Sequence, residues 1–358
     1  MSAETGSPGD AARVPTVPLD EGEHPAAGLS PGAGVGDPSP LLGRLRAWAR
    51  AVPVSREVGL LVLIGLTCAV AALRYPATFP TADNARAILR GLAGDGIMAS
   101  GMMLLLIGGL FDLSVGGLFS LTGVITGWLL QEAGVPVPLA VLGGLATGAL
   151  GGWLNGFIVA KVKVNALIAT LGTAGIFRGL AVLVGGPGIT FLPEGFTRLG
   201  QTEFLGIQTP VWLMLAVAVV MYYALARTRL FRRYYYIGSN ERAAALSGIN
   251  VPRMQLLAFT VMGLLAGLAG VASAARFGSA VSTVGDGAEL RVITAVILGG
   301  ASLTGGKGTV WGALLGIAFV ALIQNVLIIG AIAATWQSII IGTVLVLAVA
   351  TDSLVNRG

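Results

Sequence analysis

The sequence predicts an all-α polytopic membrane protein with about ten transmembrane helices, some of them short or broken. Three observations carry this. Of 358 residues, 55% are hydrophobic and only 11% are charged, whereas a soluble domain carries about 25% charged residues. So few charges cannot cover a water-facing surface of this size. The mean hydropathy is +0.84, and several apolar runs approach the ~20 residues that cross a bilayer. The basic residues lie between these runs, where they act as topology signals. The pI near 9.7 therefore does not call for a nucleic-acid partner; the surroundings expected are membrane lipid.

Residues 1–40 are rich in Pro, Gly, Ala, Asp and Glu and have no apolar periodicity. They cannot bury enough surface to offset chain entropy, so a disordered cytoplasmic tail is expected. No apolar core of a signal peptide falls in the first 30 residues. Residues 41–57 form a basic juxtamembrane segment, in which Leu41–Arg56 reads either as a short amphipathic surface helix or as a plain basic flank. The transmembrane domain is expected over 58–352. Its apolar segments are Val58–Leu73, Ile97–Leu110, Val115–Leu130, Val137–Ala160, Leu167–Gly185, Pro210–Ala226, Gln255–Ala275, Ala288–Ser302, Val310–Ile329 and Thr335–Ala350. The second and the eighth are short for a full crossing. They read as broken or re-entrant helices, or as helices whose ends the apolar pattern misplaces.

With the N-terminus inside, strict alternation puts 15 of the 22 basic residues on the inner side and 7 on the outer side or in spans. The positive-inside rule supports that orientation, and an even number of spans then returns the C-terminus to the cytoplasm. The chain has 54 glycines, many within spans, where small residues let helices approach closely. Its single cysteine, Cys68, excludes an internal disulfide and a cysteine metal cluster. Its single histidine, His24, lies in the tail, away from any intramembrane site. No cofactor is expected.

Four segments carry specific information. In Gly108–Gly117, GGLFDLSVGG, glycines end the second span, and Asp112 or Ser114 can cap the third helix. The break reads either as that cap alone or as part of a solute path built from discontinuous helices, since a carboxylate near membrane depth needs partners or water. Val164–Thr173, VNALIATLGT, starts the fifth span after Lys161 and Lys163. Arg178 inside that span either snorkels or pairs with a carboxylate elsewhere in the chain.

The third segment is the long loop Arg227–Arg253. Ser239 or Asn240 can cap a short helix there, Glu241 favours its N-terminus, and Gly248 can stop it. Such a small-faced helix suits a groove on a cytoplasmic partner; a bare connecting helix is the alternative. The fourth segment, Gly285–Gly312, contains GGKGT. It fails the phosphate-loop pattern, because Ala301 stands at the first glycine position and Gly308 follows the lysine in place of Ser or Thr. Gly299–Gly306 loosely echoes Gly108–Gly117.

Together these segments resemble the ribose/xylose/galactose-type ABC permeases, in which motifs of the form GG-[IF]-DLSVG, P-F-[IV]-ATLG, YAIGGN-x-x-A-A-x-L-S-G-I and LGG-x-SL-x-GG-x-G-T occur in this order. Here they stand as GGLFDLSVG, NALIATLGT, YYIGSNERAAALSGI and LGGASLTGGKGT. Trp336-Gln337 and Asp352 also look like the family's last span and its end. Leu110, Ala166-Leu167, Phe231 and Tyr236 depart from the pattern. Arg291 stands where the family often has Asp, which puts a positive charge near the outer mouth.

The resemblance implies a bacterial plasma-membrane location and a non-catalytic importer subunit for a monosaccharide or sugar-like solute. It also implies a second permease subunit, identical or homologous, two cytoplasmic ATPases or a fused pair, and an external solute-binding protein. Candidate path residues are Asp112, Ser114, Asn155, Asn165, Gln324, Asn325 and Trp336. Candidate coupling residues within 227–254 are Asn240, Glu241, Ala243, Ala244, Leu246, Ser247 and Gly248. The same machine carrying a nucleoside, an autoinducer or a branched-chain amino acid is one alternative; an ion-coupled secondary transporter is another.

Overall fold

The computed structural model describes residues 56–333, with 336, 337, 339, 340, 342–344 and 346. The expectations for the tail and for nearly all of the juxtamembrane segment lie outside the described residues, as does much of Thr335–Ala350. The chain is built of helices: α1 Arg56–Arg74, α2 Ala82–Ile107, α3 Val115–Gln131, α4 Val137–Phe157, α5 Ala166–Gly185, α6 Glu194–Gln201, α7 Thr209–Arg227, α8 Arg229–Ser239, α9 Glu241–Leu246, α10 Val251–Phe277, α11 Ala288–Leu298 and α12 Val310–Ile329. Seven of them are long and apolar enough to cross a membrane, and α3, at 17 residues, is a shorter apolar helix. The strands among the described residues are two-residue pairs in the loops: Ile189–Thr190 against Ser279–Ala280, and Glu203–Phe204 against Ile207–Gln208.

α2 corrects the expectation of a short second span. It runs for 26 residues, about 39 Å at 1.5 Å per residue. Asn84, Arg86, Arg90 and Asp95 hide its first half from an apolar scan. Thr81 caps its start by accepting the Asn84 N–H. From Ile97 to Ile107 it is buried on every side, as an all-round apolar helix at the centre of a bundle should be. By contrast α1 exposes Leu61, Val62, Leu63, Leu66 and Val70 and buries little besides Leu60 and Ala71. It packs on α12 around Phe79 and Leu322.

α4 and α10 form the closest helix pair. Gly144, Gly148, Gly152 and Gly156 repeat every four residues on one face of α4. A Cβ on Gly148 would meet the Gly263 carbonyl, and one on Gly152 would meet the Phe259 carbonyl. Glycine is required on both sides of this seam, because backbone touches backbone.

The eighth apolar segment is a half-length helix. α11 has 11 residues, about 16 Å, half a bilayer core. Its N-terminal end touches α3 through Gly285 and Gly116. Its C-terminal end turns at Gly299-Gly300, where Gly300 N–H bonds the Ile297 carbonyl and Ala301 N–H bonds the Val296 carbonyl. α2 ends the same way at Gly108-Gly109: Gly109 N–H bonds Leu106 and Leu110 N–H bonds Leu105. Both are Schellman turns whose second glycine sits at positive φ, +97° and +75°. The echo between the two sequences is therefore a shared turn, and the turns meet, since Gly306 N–H donates to the Ile107 carbonyl at 2.9 Å.

Candidate solute path and coupling surface

At the end of the bundle away from α8 and α9, a cavity of about 260 Å³ opens between α2, α10, α11 and α12. Arg90, Asp95, Ser273, Arg276, Arg291 and Gln324 supply its polar wall. A second cavity, about 320 Å³, adjoins it through Ser273, Phe277 and Val284 and is lined by Ser120, Ser279 and Thr283. Polar groups at this depth are expensive unless they face water, a partner or a ligand.

The half-helix α11 brings charge into this region and is tied on two sides. Arg291 donates from Nε to Asp95 of α2 at 2.9 Å and from Nη2 at 3.3 Å. This fork geometry is the strong form of the pair. On the other side Glu289 accepts from Arg178 Nη2 of α5 at 2.6 Å, with Asp286 3.7 Å from Arg178 Nε. Glu289 is the carboxylate that the isolated Arg178 called for, 111 residues away in sequence. Asp95, Arg276 and Glu289 were not among the sequence candidates. Their one sequence signal is a charge inside or beside an apolar run.

Asp112, Ser114 and Asn155 come together in one knot, all fully buried. Asp112 Oδ1 accepts from Ser114 N–H at 2.7 Å and from Ser114 Oγ at 2.6 Å, and Asn155 Nδ2 donates to Ser114 Oγ at 2.7 Å and to Asp112 Oδ2 at 3.3 Å. Ser114 occupies the cap position of α3 but makes no side-chain cap bond. Asn165 lies elsewhere, exposed, and caps α5 by accepting the Leu167 N–H. Gln324 lines the first cavity. Asn325 donates to Asn84 Oδ1 at 2.8 Å, and Trp336 is exposed.

At the opposite end, Asn240 caps α9 by accepting the Ala243 N–H. Gly248, at φ +83°, closes it in another Schellman turn through Gly248 N–H to Ala245 and Ile249 N–H to Ala244. Glu241, Ala243 and Ser247 face outward, and Leu246 is 90% exposed. Ala244 turns inward and is buried, so Leu246 is the side chain that α9 presents.

α9 is fixed to the bundle by α8, which the sequence reading left out of the loop. Tyr234 donates to the Met254 carbonyl at 2.7 Å and Tyr235 to the Gly308 carbonyl at 3.0 Å. Burial pushes the Tyr234 phenol above its ordinary range, so it stays a donor. Gly238 lies against the Ile107 carbonyl and Gly306 N, with no room for a Cβ.

A family model described as branched-chain amino acid transport system / permease component matches residues 87–349. The chain belongs to this permease family. The permease is 39% identical over 301 residues to the ribose import permease protein RbsC of Escherichia coli strain K12, covering 83% of this chain and 92% of that protein. It is 37% identical over 250 residues to the autoinducer 2 import system permease protein LsrC of Salmonella typhi, covering 70% of this chain and 72% of that one. It is a non-catalytic permease component of an ABC importer, a family that implies an ATPase and a solute-binding protein as partners.

Proposed function

We propose that the permease moves a sugar-like solute through the two adjoining cavities, and that the Asn240–Gly248 segment receives the stroke of the ATPase. The observation that carries this is a continuous line of backbone contact. It leads from α8 at Gly238 to the Gly305–Gly308 loop, and from that loop to α11, whose first turn holds Arg291 on the wall of the first cavity. A push on α9 is therefore delivered to the half-helix with little slack, because the relay at Gly238 is backbone on backbone. α8, α9, the glycine turns and α11 act as one moving body.

Gln324 lines this path. Asp112, Ser114 and Asn155 support it from behind, as the knot that fixes the start of α3 where Gly116 meets Gly285 and Glu289. A second copy or a homologous permease completes the path, and lipid covers the remaining apolar faces. The basic residues Lys161, Lys163 and those of 227–253 mark the cytoplasmic side, with both termini there. Cargo of the ribose type is favoured by the length of the match to the ribose permease, and an autoinducer of similar size is the second reading.

The test is uptake of labelled ribose by proteoliposomes holding the permease with its co-purifying ATPase, in the presence of its solute-binding protein. Uptake should persist when ionophores collapse all ion gradients and stop when the ATPase is inactivated. The reverse pattern would assign the chain to ion-coupled transport.

A further inference from the structure

The first cavity carries more positive charge than a neutral sugar needs. Three guanidinium groups and one carboxylate face it. Arg291 is matched with Asp95. Among the described residues, Arg90 and Arg276 have no carboxylate within salt-bridge distance. They are neighbours: Arg276 Nη1 donates to the Arg90 backbone carbonyl at 2.5 Å, and Arg90 Nε donates to the Arg86 carbonyl at 3.2 Å. Arg276 also lies over the Phe277 ring, 4.7 Å from its centroid, and each arginine keeps guanidinium N–H groups with no hydrogen-bond acceptor among the described residues.

Two like charges, both half-buried, repel each other more strongly than they would in water. An anion between them relieves that repulsion. A guanidinium fork matches the planar oxygens of a carboxylate or a phosphate. The adjoining cavity offers Ser273, Ser279 and Thr283, which suit hydroxyls. A volume of about 260 Å³ is the liquid share of roughly nine waters, the scale of a five- or six-carbon polyol.

We infer that the solute is an anionic polyol, a sugar acid or a sugar phosphate, whose anion sits on Arg90 and Arg276 while its hydroxyls face the serine-lined wall. This rests on the two cavities being the solute path. A lipid phosphate offers the same chemistry at the same arginines, and the experiment separates the two sources.

Binding is measured by saturation-transfer NMR on the purified full chain in neutral detergent, with ribose, ribonate and ribose 5-phosphate as probes. An anion advantage of about ten-fold or more over ribose is expected. Arg276→Gln and Arg90→Gln should each remove most of that advantage. Arg276→Lys, which keeps the charge, should retain part of it and serves where the glutamine variants do not fold. Equal binding of ribose and ribonate overturns the charge inference and leaves the cavity as a sugar site. Binding of none of the probes fails the path reading itself. Phosphatidylglycerol added to the micelles that displaces ribonate, with no reverse displacement, assigns the arginines to a lipid headgroup and overturns the inference.

Discussion

The two ends of this permease are held by different means. At the α8–α9 end, Gly238, Ile107 and Gly306 touch through backbone alone, and Tyr234 and Tyr235 bond to backbone carbonyls. At the cavity end, the half-helix α11 is held by side-chain ion pairs, Arg291 to Asp95 and Arg178 to Glu289. Backbone contacts with no side chain between them leave little slack and suit the transmission of a displacement. Ion pairs are soft and exchangeable, since a charged or hydroxylated solute can compete for the same groups. On the proposed path, the difference teaches that stiffness lies where force would enter and replaceable bonds where cargo would pass.

The contrast is broken most forcefully at Asp95. Asp95→Asn leaves Arg291 charged and unmatched in a largely buried place. The expected loss is on the order of 3 kcal/mol, read as a lower thermal midpoint of the purified chain. Arg291→Gln added to Asp95→Asn should recover part of it. No loss from the single change would mean that solvent already satisfies Arg291.

The stiff end is tested at Gly238. A methyl group there would meet the Ile107 carbonyl, so Gly238→Ala should cost about 1–3 kcal/mol from overpacking and reduce uptake. Gly148→Ala on the α4–α10 seam should cost a similar amount. Wild-type uptake by the folded Gly238→Ala variant would remove this contact from the relay. Tyr235→Phe drops a single hydrogen bond to Gly308, with an expected loss of about 1 kcal/mol.

The smallest effect on stability belongs to Leu246. It is almost fully exposed, so Leu246→Ser should change stability by about 0.5 kcal/mol or less. It should nonetheless prevent co-purification of the ATPase. Unchanged capture would move the docking surface elsewhere on the loop. Ala244 is unsuited to this test, because its side chain packs inward.

Most of the spans were legible because a lipid-facing helix needs an unbroken apolar run, as in Val310–Ile329, whose predicted bounds match α12. α2 was half hidden because its first turns carry the charges that line the cavity. The α9 helix, its Asn240 cap and its Gly248 stop were legible from capping chemistry, which is local. The ion pairs were not. Asp95 and Arg291 stand 196 residues apart, and a charge in an apolar run announces that it has a partner without saying where. The isolated Arg178 announced Glu289 in the same way. The knot of Asp112, Ser114 and Asn155 was seen as three candidates, but their joining at full burial depends on how α4 packs against α3.

The central claim, that α8, α9 and α11 move as one body, is tested by a spin-label distance. Labels are placed at Tyr236→Cys on α8 with Leu290→Cys, and at Tyr236→Cys with Leu150→Cys, in a Cys68→Ser background, which leaves the Leu246 docking side chain intact. All three labelled sites are exposed. Distances are read within one protomer, from a mixture of labelled and unlabelled permease assembled with its ATPase, with and without ATP. The expected result is a 236–290 distance constant to about 1 Å, while the 236–150 distance changes by about 2 Å or more. A 236–290 distance that changes while 236–150 stays fixed would show that the stroke bypasses the half-helix, and would contradict the relay through Gly238.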